Sequence, residues 1–128
     1  MPSQVGTILI IDDDASVRKV AQFRLEREGY RVLIASNGDE GLRLAKTDRP
    51  HVILLDILMP GMDGREVLRR LKGDAETAPI PVILLTVIEE HETDERIGPG
   101  FVDRISKPYH PDQMLQKVQK AIARPPAP

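Results

Sequence analysis

Short, uninterrupted apolar runs alternate along this chain with longer stretches in which apolar residues recur every three or four positions. Thr7 to Ile11, Val52 to Leu55 and Val82 to Leu85 are apolar at almost every residue, the pattern of strands covered on both faces. Arg31 to Ala35 reads as another strand, and a short one follows near Val102 to Ile105. Between them the spacing predicts helices over Ala15 to Glu28, over Asp39 to Lys46, from the turn at Asp63 to Leu71, and from about Asp112 to Ala123. Their expected inward faces are Val17, Val20, Ala21 and Leu25, then Leu42 and Ala45, then Val67, Leu68 and Leu71, and finally Met114, Leu115, Val118 and Ile122. Local signals agree: Asp14 is placed to cap the first helix, Gly29 to end it, and Arg49-Pro50 to stop the second. Asp63 and Glu66 have the spacing of a capping box. The polar stretch from Glu89 to Gly100, broken by Gly98-Pro99-Gly100, predicts a short or frayed helix with almost no apolar face to bury.

Strands alternating with helices, the central strands wholly apolar, place the chain in the α/β class with a parallel sheet. Helix count and length suit a flavodoxin-like three-layer sandwich, its five strands in the order 2-1-3-4-5 with helices on both faces. At 128 residues there is room for one core. The expected layout is an N-terminal extension over 1–6, one domain over 7–123 and a tail over 124–128, where Arg124-Pro125-Pro126-Ala127-Pro128 cannot continue a helix.

Composition narrows the function. A net charge of −2 gives no field suited to wrapping nucleic acid or holding an anionic membrane. The absence of cysteine removes disulfides and thiolate metal sites. Every long apolar run is cut by Asp or Pro well short of a membrane span, and the first residues lack the pattern of a signal peptide. A cytoplasmic domain with no membrane contact and no direct nucleic-acid binding is the expectation.

The chemistry collects where strands run out. Asp12-Asp13 follows the first strand, Asp56 the third and Thr86 the fourth, while Lys107-Pro108 follows the fifth. In an open parallel sheet the carboxyl ends of the strands share one edge, and ligands bind there. Taken singly, each residue has a plain alternative: an Asp as helix cap or turn residue, Thr86 as a cap for the next helix, Lys107 as a surface lysine. Together, three crowded carboxylates repel unless a cation joins them, so the set makes sense as a metal and phosphate site. Oxygen donors without His or Cys suit Mg²⁺, which keeps several waters and needs few protein ligands; no loop offers the closely spaced acids that calcium prefers. His51, His91 and His110 are scattered and form no cluster in the sequence.

From Thr7 to Ala123 the chain resembles the receiver domains of bacterial two-component response regulators. The matching pieces are Ile10-Ile11-Asp12-Asp13, Leu54-Leu55-Asp56-Ile57-Leu58-Met59-Pro60-Gly61-Met62-Asp63-Gly64, Leu84-Leu85-Thr86 and Ile105-Ser106-Lys107-Pro108. The resemblance implies that Asp56 is the phosphoacceptor. Asp12, Asp13, Asp56 and the backbone carbonyl of Leu58 are implied to hold Mg²⁺, and Thr86 and Lys107 to bind the phosphoryl group. It further implies a histidine kinase or histidine phosphotransfer protein as donor, an output partner or effector domain, and no reaction catalysed beyond the domain's own phosphotransfer and dephosphorylation. Besides a slightly short segment between Thr86 and Lys107, two residues depart from the family's habit. Val87 stands where a small residue is common, and Arg104 stands where an aromatic switch residue is common, so Thr86 and Arg104 are the expected switch pair. Phe23 falls off the stripe of the first helix, either as a contact for a partner helix or as a scattered surface aromatic. Two other functions compete. A degenerate receiver serving only as a binding module would lack one of the acids or the lysine, and all are present. A phosphatase of the haloacid dehalogenase type would need a second Asp two residues after the first, where Leu58 stands.

Overall fold

A computed structural model describes residues 6–87 and 99–123. In chain order these form β1 (Thr7–Ile11), α1 (Ala15–Arg27), β2 (Arg31–Ala35), α2 (Gly38–Asp48), β3 (Val52–Asp56), α3 (Gly64–Gly73), β4 (Val82–Thr86), β5 (Asp103–Ser106) and α4 (Pro111–Ala123). The five strands make one parallel sheet in the order β2-β1-β3-β4-β5. That is the expected flavodoxin-like order.

Strand alternation divides the core in two. Ile8, Ile10, Leu54, Ile83, Leu85 and Ile105 face one side, where Ala21 and Leu25 of α1 and Met114, Leu115 and Val118 of α4 cover them. Leu9, Ile11, Ile53, Leu55 and Leu84 face the other, under Ala45 of α2 and Val67, Leu68 and Leu71 of α3. The residues of β3 and β4 are all buried, because helices lie on both faces of these central strands.

Several local expectations shift. Asp56 and Thr86 are the last residues of β3 and β4 rather than the first residues beyond them. β5 runs over Asp103–Ser106, one residue later than the apolar pattern suggested, because its pairing with β4 rather than its hydrophobicity sets the register. Asp14 caps α1 as expected, its Oδ1 accepting from Ser16 N and Val17 N at 2.9 and 3.3 Å. The capping box does not close: Asp63 accepts from Arg65 N, but Glu66 turns outward and pairs with Arg69 and Arg70. Two nearby guanidinium groups outcompete one backbone amide for that carboxylate. Val20, expected inward, is 51% exposed beside Phe23 at 65%. Only Ala21 and Leu25 of α1 are fully buried, so the helix meets the sheet along a narrower stripe. The helix predicted within the Glu89 to Gly100 stretch falls on 88–98, outside the described residues, as do 1–5 and 124–128 of the expected extension and tail.

Candidate functional site

The carboxyl edge of the sheet brings the strand-end residues together. Asp12, following β1, is fully buried, and its backbone N–H bonds to Ala35 O at 3.1 Å, continuing the β1–β2 ladder. Asp56 ends β3 with only 4% exposure, and Asp13 beside it is exposed. One carboxylate oxygen from each of Asp12, Asp13 and Asp56 can be chosen so that all three lie within 4.8 Å of one another. Lys107 reaches in from beyond β5, its Nζ 2.8 Å from Asp12 Oδ2 and 3.4 Å from Asp56 Oδ2. Its backbone N–H bonds to Thr86 O at 2.9 Å, and the Lys107–Pro108 peptide is cis. Thr86 is buried at the end of β4, in register one residue past the partner of Asp56.

Electrostatics follow from this crowding. Burial first, and then the Asp12 carboxylate, push Asp56 up to about 7, with Lys107 pulling the other way. Burial lowers the Lys107 ammonium, but the paired carboxylates of Asp12 and Asp56 outweigh it and hold the value above its ordinary one. One ammonium is therefore shared between two buried acids, with a third acid open to solvent. This arrangement is short of positive charge and made of hard oxygen donors, which fits a small divalent cation.

Two contributors were not singled out from the sequence. Arg18 Nη1 donates to the backbone carbonyl of Asp12 at 2.7 Å and ties the first turns of α1 to the acidic strand end. Gly64, read only as part of a turn, is where α3 begins hard against β3: a Cβ there would lie 2.2 Å from Asp56 O. Its N–H bonds to Ile57 O at 2.9 Å. The glycine lets the Met59-to-Gly64 turn close over the strand end, and Leu58 N–H donates to Asp56 Oδ1 at 3.3 Å within it. The Gly61-Met62-Asp63-Gly64 spelling carried that signal, but only the fold shows which glycine meets backbone. Arg104 sits in β5 opposite Leu84, and Lys117 Nζ donates to its carbonyl at 2.9 Å.

The model of the response regulator receiver domain matches residues 8–119. The chain belongs to this family. As a receiver domain it is a signalling module of two-component systems rather than a metabolic enzyme. It is 39% identical over 121 residues to the protein PilH of Pseudomonas aeruginosa, covering 93% of this chain and 99% of that one. It is also 39% identical to the alkaline phosphatase synthesis transcriptional regulatory protein PhoP of Bacillus subtilis, over 91% of this chain but 48% of PhoP. The receiver thus spans the whole of one curated relative and about half of several others. Among solved structures it superposes with a TM-score of 0.86 on a putative response regulator from Chloroflexus aurantiacus, 29% identical, covering 93% of this chain and 98% of that one. The TM-score is also 0.86 with the receiver domain of a sensor histidine kinase from Pseudomonas aeruginosa, solved with magnesium coordinated in its active-site cleft, at 25% identity over 96% and 100% of the two chains. Neither the dehalogenase-type phosphatase nor the degenerate receiver is favoured. No acid stands two residues after Asp56, and the acids and the lysine are all in place. No helix among the described residues is long and apolar enough to cross a membrane.

Proposed function

We propose that Asp56 takes a phosphoryl group from a phosphohistidine on a histidine kinase or phosphotransfer protein, and that the resulting acyl phosphate changes which partner the domain binds. The observation that carries this reading is the placement of the Asp56 carboxylate at a strand end between Asp12 and Lys107. Mg²⁺ held by Asp12, Asp13, Asp56 and the carbonyl of Leu58 would supply positive charge to the transferring oxygens. The remaining chemistry belongs to the chain. A carboxylate oxygen of Asp56 attacks phosphorus in line, the phosphorus–nitrogen bond breaks, and the imidazole leaves with the electron pair. Lys107, shared by two acids at rest, is positioned to neutralise the oxygens of the incoming group. Thr86, buried beside the acceptor, donates its hydroxyl to the same group and draws the end of β4 with it. Arg104 makes the switch charged where an aromatic ring is common, and carries the change outward along β5.

The donor approaches across α1. A groove of about 420 Å³ lined by Val17, Val20, Val87 and Pro108 opens beside Lys107, and Phe23 stands exposed further along the same helix. These apolar groups support a helical partner as the donor. The domain catalyses only its own phosphorylation and dephosphorylation, in the cytoplasm, with its output set by the partner or effector domain it meets.

The test is intact mass after incubation with Mg²⁺ and acetyl phosphate. The wild type gains one phosphoryl mass, and Asp56→Asn gains none. Equal labelling of that variant would remove Asp56 from the role.

A further inference from the structure

Asp12 is held at every polar atom. Its backbone N–H bonds to Ala35 O at 3.1 Å, its Oδ1 accepts from Asp14 N at 2.9 Å, and its Oδ2 lies 2.8 Å from Lys107 Nζ. Its carbonyl accepts from Arg18 Nη1 at 2.7 Å. Asp13, the next residue, is exposed, so no packing around its side chain sets where the carboxylate stands. The backbone on either side has to do so, and Arg18 grips that backbone on both sides. Its guanidinium holds the carbonyl of Asp12, and its own backbone N–H donates to the carbonyl of Asp14 at 3.0 Å. The second bond is the ordinary first bond of α1, which any residue but proline would make there. The first bond needs a long cationic side chain turned back toward the sheet. A guanidinium makes it stronger than a neutral donor would, and stays charged at every working pH.

The peptide plane between these two acids carries the Asp12 carbonyl at one end and the Asp13 Cα at the other. Fixing the carbonyl therefore fixes the direction in which Asp13 leaves the strand. Mg²⁺ demands near-ideal octahedral geometry, and ordering a loose carboxylate on binding would subtract from its affinity. Resting on the reading of Asp12, Asp13 and Asp56 as the metal's ligands, we infer that Arg18 is a positioning residue for that metal: by holding the Asp12 carbonyl it presets the Asp13 carboxylate before an ion arrives. Among the described residues, the ion pairs to the buried acids come from Lys107 and not from Arg18, whose bond goes to backbone and leaves the carboxylate oxygens to the ion. The guanidinium charge by itself works against a nearby cation. Positioning and charge thus act on Mg²⁺ affinity with opposite signs, which makes the two roles separable.

The test titrates Mg²⁺ alone, with no phosphodonor, and follows the amide shifts of Asp13 and Leu58. Arg18→Met keeps the stem and removes both donor and charge, whereas Arg18→Lys keeps the charge and loses the planar fork. Arg18→Met should bind Mg²⁺ roughly tenfold more weakly, the low end for losing an outer partner of a metal site, and Arg18→Lys roughly threefold more weakly. At saturating Mg²⁺ both variants should take phosphoryl mass from acetyl phosphate as fast as the wild type. If charge repulsion governs instead, Arg18→Met binds Mg²⁺ more tightly and Arg18→Lys matches the wild type, and that pattern overturns the inference. A merely structural arginine lowers stability to urea without metal and leaves the Mg²⁺ affinity of the folded protein within about twofold, which overturns it as well. Labelling that stays slow at saturating Mg²⁺ would put Arg18 in the transfer step and overturn its role as a positioning residue. If Mg²⁺ shifts no amide of the wild type, the metal reading fails and this inference falls with it. Binding of Mg²⁺ without any gain of phosphoryl mass would count against Asp56 as acceptor and not against Arg18.

Discussion

The two edges of this one sheet follow opposite rules. Where the strands begin, polar groups are matched. Lys72 Nζ donates to Ala78 O and Ile80 O at 2.9 and 2.7 Å, and Thr77 Oγ1 donates to Leu71 O at 2.6 Å. Ion pairs Arg31–Asp48, Lys46–Asp74 and Arg49–Glu76 lie around them. Where the strands end, two buried carboxylates share one lysine beside a third, exposed one, and Asp56 is pushed up to about 7. The first edge adds to stability. The second is held in an unfavourable arrangement by the rest of the fold, as functional sites commonly are. The difference marks the carboxyl edge of the sheet as the candidate site on physical grounds.

The largest effect expected from this contrast belongs to glycine. At the working edge, Gly64→Ala sets a Cβ 2.2 Å from Asp56 O, against backbone that cannot yield cheaply. Urea unfolding should show a loss of roughly 3 kcal/mol, in the upper range for overpacking. Gly73→Ala, at the far end of the same helix α3, meets nothing within 4 Å and should gain up to about 1 kcal/mol from helix propensity. Equal stabilities for the two variants would break the comparison.

The next effect is electrostatic and has a fixed sign. A carboxyl raised from 3.8 to about 7 on folding contributes stability that is complete below about pH 4 and lost as pH rises through 7. In metal-free protein this group should cost a few kcal/mol by pH 7.5. Asp63, Glu66, Asp74 and Asp103 are lowered by their partners, so their contribution grows with pH, but only in the acid range below the usual carboxylate values. The window from about pH 5 to 7 therefore reports mainly Asp56. Asp56→Asn should flatten the stability curve there and raise stability at pH 7.5. A curve unchanged by the substitution would mean the carboxylates are not crowded in solution.

At the matched edge the corresponding test has the opposite sign. Lys72→Met removes the donor to two backbone carbonyls, and leaving part-buried acceptors unpaired should cost roughly 1–2 kcal/mol. Burial already lowers the Lys72 ammonium, so part of the loss is offset by relief of its desolvation. Acetyl phosphate labelling of Lys72→Met should match the wild type at the same folded concentration. A loss of labelling would show that the two edges are coupled.

The sequence made most of this legible because the signals were local. Unbroken apolar runs marked the central strands, and polar residues at their ends marked Asp12, Asp56, Thr86 and Lys107, which the fold does bring to one edge. What stayed hidden depended on distance in three dimensions. Val20 kept helical spacing with Val17, three residues before it, yet α1 lies so that Val20 points to solvent. Glu66 had the right offset from Asp63, but Arg69 and Arg70 compete for it one turn on. Arg18 looked like one more charge on a helix until its bond to Asp12 O was seen. Gly64 was one of two glycines in a turn, and only contact with Asp56 O separates it from Gly61.

The smallest expected effect concerns the lifetime of the acyl phosphate at the working edge. Leu58 follows Asp56 by two residues, with its backbone N–H on Asp56 Oδ1 and its side chain 49% exposed at the mouth of the site. An apolar side chain there cannot hydrogen-bond a water and aim it at phosphorus. Ile88, two residues after Thr86, lies outside the described residues. Leu58→Asn places a donor and an acceptor where the leucine stands, without altering the carboxylates or Lys107. Hydrolysis of the phosphorylated protein, followed by phosphate release after the donor is removed, should then run roughly threefold to tenfold faster, which is about 1 kcal/mol of barrier. Because the leucine is half-exposed, its removal should cost little stability, so the rate is the readout that matters. A wild type that loses phosphate faster than Leu58→Asn would show that the leucine does not keep water from the acyl phosphate.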